Sequence, residues 1–220
     1  MIHIYKIPDL FDRISKNLIW KINTEKKDIF LTFDDGPIPK LTNFVLDVLE
    51  DFDALATFFC VGDNISKYPG ICEDVIAKNH LIGNHTHNHL KGWSTKTDQF
   101  VANIKECQRH ISEYQKIDVR PVFRPPYGQI TPKQINSLKA KYHIIMWDIL
   151  TYDFDITHSP QKSLDKIIKK TGPGSIIVFH DNYKAEEKLN YMLPRYLQHF
   201  KEKGYNFKKL EPHSLPEQVN

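Results

Sequence analysis

The chain has 220 residues, of which 40% are hydrophobic and 26% charged, enough apolar material for one buried core and too much for a disordered chain. Its 30 basic and 27 acidic residues are interspersed and leave a net charge of only +3. No basic stripe is visible that would neutralise a run of phosphates, so nucleic acid is not expected as a partner. The three cysteines, Cys60, Cys72 and Cys107, form no CxxC pair and are expected to be small buried hydrophobes rather than a disulfide framework. Lys6, Asp9, Asp12, Arg13 and Lys16 interrupt the N-terminus, which therefore does not read as a signal peptide. No apolar run approaches the length of a membrane span. The expected location is cytoplasmic, or peripheral to a membrane or cell envelope.

In chain order, residues 29–33 (IFLTF) predict a buried strand entering a tight turn at Asp34-Asp35-Gly36-Pro37. Leu41, Val45, Val48, Leu49 and Phe52 then share one helix face. A second strand is expected over 56–61, a helix over 69–78, and a brief strand over 81–83 before a histidine-rich loop. Val101, Ile104, Cys107, Ile111 and Tyr114 mark a longer helix. Residues 122–124 predict a strand, followed by Pro125-Pro126-Tyr127-Gly128 and a helix that Thr131-Pro132 opens as N-cap and N1. A strand over 143–147 follows, then the longest stretch with no evident element, 147–159. Ser159-Pro160 opens a helix that Gly172-Pro173-Gly174 stops, and 175–179 predict a last strand. Leu189, Met192, Leu193, Tyr196, Leu197 and Phe200 define a final helix ending at Gly204. This alternation predicts an α/β fold, a mainly parallel sheet with helices outside it.

In such folds sites collect beyond the C-terminal ends of the strands. Ionisable residues stand at five of those ends: Asp34-Asp35, the run 84–89, Arg124, Asp148 with Asp153, and His180-Asp181. His85 and His89 have the spacing that places two imidazoles on one side of a helical turn for a single metal. Alone, the pair is a weak signal and reads more readily as solvated loop histidines. Positions 86 and 88 are Thr and Asn, so a catalytic base must come from elsewhere, and Asp34-Asp35 is the available donor. One aspartate would ligate and the other take a proton. The same four residues are also ordinary turn chemistry.

Thr32-Phe33-Asp34-Asp35-Gly36-Pro37 resembles the first motif of the polysaccharide deacetylases, carbohydrate esterase family four, also called the NodB-homology domain. His85-Thr86-His87-Asn88-His89 resembles the second motif and Arg124-Pro125-Pro126-Tyr127-Gly128 the third. Residues 147–154 resemble the fourth, and Ile177-Val178-Phe179-His180-Asp181 the fifth. The resemblance implies a distorted (β/α)7-type barrel with the active site at the C-terminal ends of the strands. It implies Asp35, His85 and His89 as ligands to a divalent metal, zinc first and cobalt or nickel as alternatives. Asp34 would be the general base, with Arg124 holding it charged, and the Tyr127 N–H would help bind the oxyanion. His180 would be the general acid, kept protonated by Asp153. Val178 would line the acetyl-methyl pocket and Phe154 the groove wall. The implied activity is metal-dependent hydrolysis of N-acetyl or O-acetyl groups on a glycan of peptidoglycan, chitin-oligomer or xylan type, by a monomer.

Two positions depart from the family pattern: Phe154 stands where Trp is common, and Val178 where Leu is usual. Both bear on substrate preference. The alternatives are an amidohydrolase for a small non-sugar amide and an inactive carbohydrate-binding protein. An open groove favours a polymer over a small amide, and retention of every ligand, base and acid disfavours an inactive protein. Residues 1–28 lie outside the motifs and are expected to pack on the barrel as an extension of the 29–220 catalytic domain. Ile14, Leu18, Ile19 and Ile22 would form a short helix against the barrel or a membrane surface. Among the remaining polar and aromatic residues, His87 is expected to point away from the ligands, and Asp148 either to cap a strand or to bind substrate. Asp181 is expected to bond local backbone. Trp93 and Tyr152 would stack on sugars or be ordinary surface aromatics. His3, His143, His158, His199 and His213 are expected to be structural or solvated.

Overall fold

A computed structural model describes residues 4–8 and 15–215. Strands and helices alternate as β1 Asp28–Asp34, α1 Leu41–Asp51, β2 Thr57–Cys60, α2 Gly62–Lys67, α3 Pro69–Ala77 and β3 Leu81–Asn84. They continue as α4 Thr97–Ile111, β4 Val122–Phe123, α5 Pro132–Leu138, β5 His143–Ile144, β6 Ile149–Leu150 and α6 Pro160–Lys170. β7 Ile176–His180, α7 Glu186–Glu202 and β8 Asn206–Lys208 close the series. The sheet runs β5-β4-β3-β2-β1-β7-β6, with β8 beside the first half of β1. Every pairing between these strands is parallel. The sheet curls into an open (β/α)7 barrel.

Side chains alternate across each strand and separate two cores. Ile29, Leu31 and Phe33 of β1 join Phe58, Ile82, Ile177 and Phe179 in the layer under the helices. Phe59, Leu81, Val122, Ile145 and Ile176 fill the inside of the curl. Space there is tight, and a Cβ on Gly83 would come within 2.6 Å of the Phe59 ring. The same alternation leaves Thr32 and Asp34 of β1, and Val178 and His180 of β7, on the inner side. Register then sets Thr32 beside Val178 and Asp34 beside His180.

The N-terminal segment covers both open edges of the sheet. Ile19 bridges Ile145 next to β5, and Lys6 bridges Ile149 of β6. Tyr5 and Ile7 carry the hydrogen bonds of the second bridge: Leu150 N–H donates to Tyr5 O (3.1 Å) and Ile7 N–H to Asp148 O (2.8 Å). Pairing both edges removes the exposed ladder that invites another strand. The expected N-terminal helix is not formed over the described part of this segment. Leu18, Ile19 and Ile22 lie in turn and extended backbone, because satisfying sheet edges outweighs a short amphipathic pattern. Ile14 and His3 lie outside the described residues. The strand expected over 143–147 is two residues long and yields to the bridge at Ile145. The segment expected to lack structure contains β6.

Candidate active site

The upper end of β1 is fixed from below by Arg124. This fully buried guanidinium donates from one nitrogen to Asp34 Oδ1 (2.7 Å) and Thr32 Oγ1 (2.6 Å), and from another to Met146 O (2.9 Å). It also lies over the Phe59 ring, 4.2 Å from its centroid. Thr32 passes its own proton to Ile177 O at 2.6 Å, which ties the ion pair to β7. Asp34 Oδ1 is thereby committed to Arg124. Oδ2 remains, 4.0 Å from His85 Nε2.

Asp35, His85 and His89 each offer one ligand atom, and all three atoms lie within 4.8 Å of one another. Asp35 Oδ1 is 3.0 Å from His89 Nε2 and 3.6 Å from His85 Nε2. These separations bracket the roughly 3.3 Å edge of a tetrahedron with metal bonds of about 2.0–2.1 Å. His85 Nδ1–H donates to Arg124 O (2.8 Å), which fixes the tautomer and turns the Nε2 lone pair toward Asp35. Burial pushes the His85 pKa down to about 4, so the ring is neutral, as a ligand must be. Burial works against ionisation of Asp35, but the His89 hydrogen bond and the positive charge of His180 outweigh it and hold the carboxyl well below its usual range. Two imidazoles and one carboxylate suit zinc and leave positions open for water and substrate.

The histidines meet by a route other than the helical turn that the spacing suggested. Residues 85–89 form a loop in which Thr86 (φ 63°) and His89 (φ 54°) are left-handed. Thr86 N–H donates to Asn84 Oδ1, and Asn103 Oδ1 accepts from the His87 and Asn88 N–H groups. Asp35 is left-handed as well (φ 85°) and is held by residues that sequence reasoning did not identify. Asn182 donates to its Oδ2 at 2.6 Å, and Asn64 to its carbonyl at 2.8 Å. Asp181 accepts from the Gly36 N–H (3.1 Å) and from Thr42 Oγ1 (2.6 Å), so it braces a distant turn rather than local backbone. A Cβ on Gly36 would meet that carboxylate at 2.0 Å.

Across the site Asp153 uses both oxygens on His180: Oδ1 accepts from Nδ1–H and Oδ2 from the backbone N–H, each at 2.7 Å. Burial alone would lower this histidine's pKa, but the Asp153 charge and hydrogen bond, with Asp35 and Asp34 beyond, push it up to about 9. The ring is therefore protonated at neutral pH, with Nδ1 occupied. Phe154 stands edge-on to it at 5.0 Å.

Asp34, Asp35, His85, His89, His180 and Asn182 line one cavity of about 620 Å³, together with Val178, Leu150, Ile38 and Trp147. Tyr127, Phe154 and Tyr183 stand at its rim, 56%, 38% and 65% exposed, so the cavity opens to solvent. Tyr127 is left-handed (φ 59°) and packs against the His89 ring at 4.8 Å. Other singled-out residues lie elsewhere. His87 stacks on His110 (5.3 Å). Asp148 accepts from Ser175 Oγ and Ile176 N–H in the interior, a strand-capping arrangement. Trp93 is exposed away from the cavity lining, Tyr152 packs on Tyr5, and His158 meets the Tyr5 hydroxyl. His143, His199 and His213 do not line the cavity, and all three cysteines are buried and free.

A buried carboxylate–arginine pair, a three-residue group that could hold a metal ion and an aspartate-bound histidine thus meet at the C-terminal ends of the parallel strands. The sequence profile of the polysaccharide deacetylases matches residues 21–143, more than half of the chain, and the chain belongs to that family. A peptidoglycan-N-acetylglucosamine deacetylase of Bacillus cereus is 30% identical over 190 residues, spanning 86% of this chain and 88% of the relative. A chitooligosaccharide deacetylase of Azorhizobium caulinodans is 29% identical over 168 residues, spanning 76% and 80%. A crystal structure of a peptidoglycan N-acetylglucosamine deacetylase in complex with 4-naphthalen-1-yl-N-oxidanyl-benzamide superposes with a TM-score of 0.83 at 26% identity, covering 92% of this chain and 95% of that one.

Proposed function

We propose that the chain hydrolyses N-acetyl groups on a glycan of the peptidoglycan or chitin-oligomer class, with a divalent metal as cofactor. The observation that carries this reading is the convergence of a ligand set, a candidate base and a candidate acid on one open cavity. Asp35, His85 and His89 would hold a divalent ion such as zinc, which would supply Lewis-acid polarisation of a carbonyl and make a nearby water more acidic. The N-hydroxy amide on the structural relative belongs to a class of ligands that chelate such ions through two oxygens, which supports a metal here.

The chain's own residues divide the proton transfers. Asp34 keeps Oδ1 on Arg124 and takes the proton of the attacking water at Oδ2, which faces the ligand set. The Tyr127 N–H is the candidate donor to the oxyanion. His180 holds Nδ1 on Asp153 and delivers the Nε2 proton to the departing sugar nitrogen, releasing acetate and a free amine. Val178, inward-facing and in register with Thr32, lines the space for the acetyl methyl. The exposed aromatic rim suits a chain of sugars rather than a small enclosed amide.

The test is acetate release from acetylated chitooligosaccharides and peptidoglycan fragments, in metal-stripped protein and after zinc is restored. Release that returns with zinc is the expected result. Zinc binding without release from any glycan would overturn the substrate assignment, and no zinc binding would overturn the mechanism.

A further inference from the structure

Asp153 reaches His180 from a turn that the backbone adopts reluctantly. Tyr152 has φ 54°, a left-handed conformation that is unfavourable for a bulky residue and persists only where its surroundings over-determine it. Three distant parts of the chain supply those surroundings. Lys188 of α7, a buried residue, donates from Nζ to Tyr152 O (3.1 Å) and to Ser163 Oγ of α6 (3.3 Å). The Tyr5 ring packs edge-on against the Tyr152 ring at 4.9 Å, and Ile4 N–H donates to Tyr152 Oη at 3.1 Å. Tyr5 also grips both ends of the loop. Its carbonyl accepts from Leu150 N–H (3.1 Å), and its hydroxyl lies 2.8 Å from His158 Nδ1 and 3.4 Å from Ser163 Oγ. Burying an ammonium costs several kcal/mol unless its donors are satisfied. At Lys188 two of them are spent beside a strained residue.

We propose that Tyr5 and Lys188 are positioning residues that clamp Tyr152 in its left-handed turn and so aim Asp153 at His180. Neither side chain lines the cavity. The N-terminal segment, in this role, serves the proton donor as well as the sheet edge. Without the clamp Tyr152 relaxes toward an ordinary negative φ and Asp153 draws back from both of its bonds to His180. The proposal rests on the reading of His180 as general acid.

His180 is faced by Asp153 from the loop after β6 and by Asp34 and Asp35 from the end of β1. His85, His89 and Lys184 line the same cavity. Of these groups only Asp153 is held by the clamp, so loosening it lowers the histidine's proton affinity; Tyr5→Ala leaves every charge in place, whereas Lys188→Met also removes an ammonium that acts on Asp153 and Asp155.

The experiment is the pH dependence of kcat and KM for acetate release from an acetylated chitooligosaccharide by zinc-loaded full-length Tyr5→Ala, Tyr5→Phe, Lys188→Met and His180→Gln. For Tyr5→Ala and Lys188→Met we expect kcat to fall about tenfold with KM within about twofold, and the high-pH limb of kcat to move down by about one pH unit. Tyr5→Phe keeps the ring on Tyr152 and restores most of the rate. If Lys188→Met does not fold, the Tyr5 pair carries the test alone, because Tyr5 sits on an added edge segment. A loss of rate with the high-pH limb unmoved, or no loss at all, overturns the clamp. If His180→Gln itself leaves kcat unchanged, the general-acid reading fails instead.

Discussion

Arg124 shows how much of this site depends on one residue. Its guanidinium joins the end of β4 to Asp34, Thr32 and Met146 in the buried interior. Removing one partner of a buried ion pair leaves the other charge uncompensated. Arg124→Met is therefore expected to destabilise the fold by about 3–5 kcal/mol, read by urea denaturation. A loss below about 1 kcal/mol, the range of an exposed pair, would contradict that. Asn182 makes a subtler contribution. It holds Asp35 Oδ2 at 2.6 Å and leaves Oδ1 toward the histidines. Asn182→Ala is expected to weaken zinc binding about 10- to 100-fold in a competition titration, with the fold intact. Unchanged affinity would show that Asp35 is oriented by its backbone alone. At this scale the motif residues were legible because chemistry restricts them to few types. Asn182 was not, since an Asn after His180-Asp181 carries no signal until the fold brings it to Asp35. The left-handed Thr86 and His89 were equally hidden, because Thr disfavours that conformation and His, though enriched in it, adopts it too seldom to be read from sequence.

The elements that sequence periodicity revealed are those with a wide apolar face. α1, α4 and α7 bury Val45 and Leu49, Ile104 and Cys107, and Met192 and Tyr196, as their spacing predicted. The Thr131 cap was legible too: its hydroxyl accepts from Gln134 N–H, and the Gln134 side chain returns the bond. α2, with a polar sequence and only Gly62 and Ile65 buried, gave no such pattern. β6 and β8 are two and three residues long, too short for alternation to register. The connection between β5 and β6 turns on Asp148, whose carboxylate receives Ser175 Oγ–H and Ile176 N–H. Burial, opposed chiefly by the Ser175 hydrogen bond, raises its pKa from 3.8 to about 6. A carboxyl whose folded pKa lies above its unfolded one favours the fold when protonated. Its contribution is complete below pH 3.8 and falls as pH climbs to about 6. Relative to Asp148→Asn, the native chain is expected to lose about 3 kcal/mol across that window, measured by denaturation at several pH values. A difference independent of pH would contradict the shift.

For the molecule as a whole, the parallel sheet and its helices followed from alternating patterns, and most of the ionisable strand ends lie at the end of the barrel where the cavity opens. What stayed hidden was how the curl is closed. The N-terminal segment reads as a short amphipathic helix, yet it pairs with both sheet edges, and pairing across the barrel leaves no local trace in sequence. The same limit applies to the register that sets Asp34 beside His180. The division of labour between the two adjacent aspartates is the centre of the account. Asp34 faces the ligand set with one oxygen and Arg124 with the other, whereas Asp35 meets both histidines. The most direct measurement is acetate release by zinc-loaded Asp34→Asn, with bound zinc quantified in the same sample. Release is expected to fall by about 10²- to 10⁴-fold while one zinc stays bound with native affinity. Release at the native rate, or a loss of zinc along with activity, would contradict it.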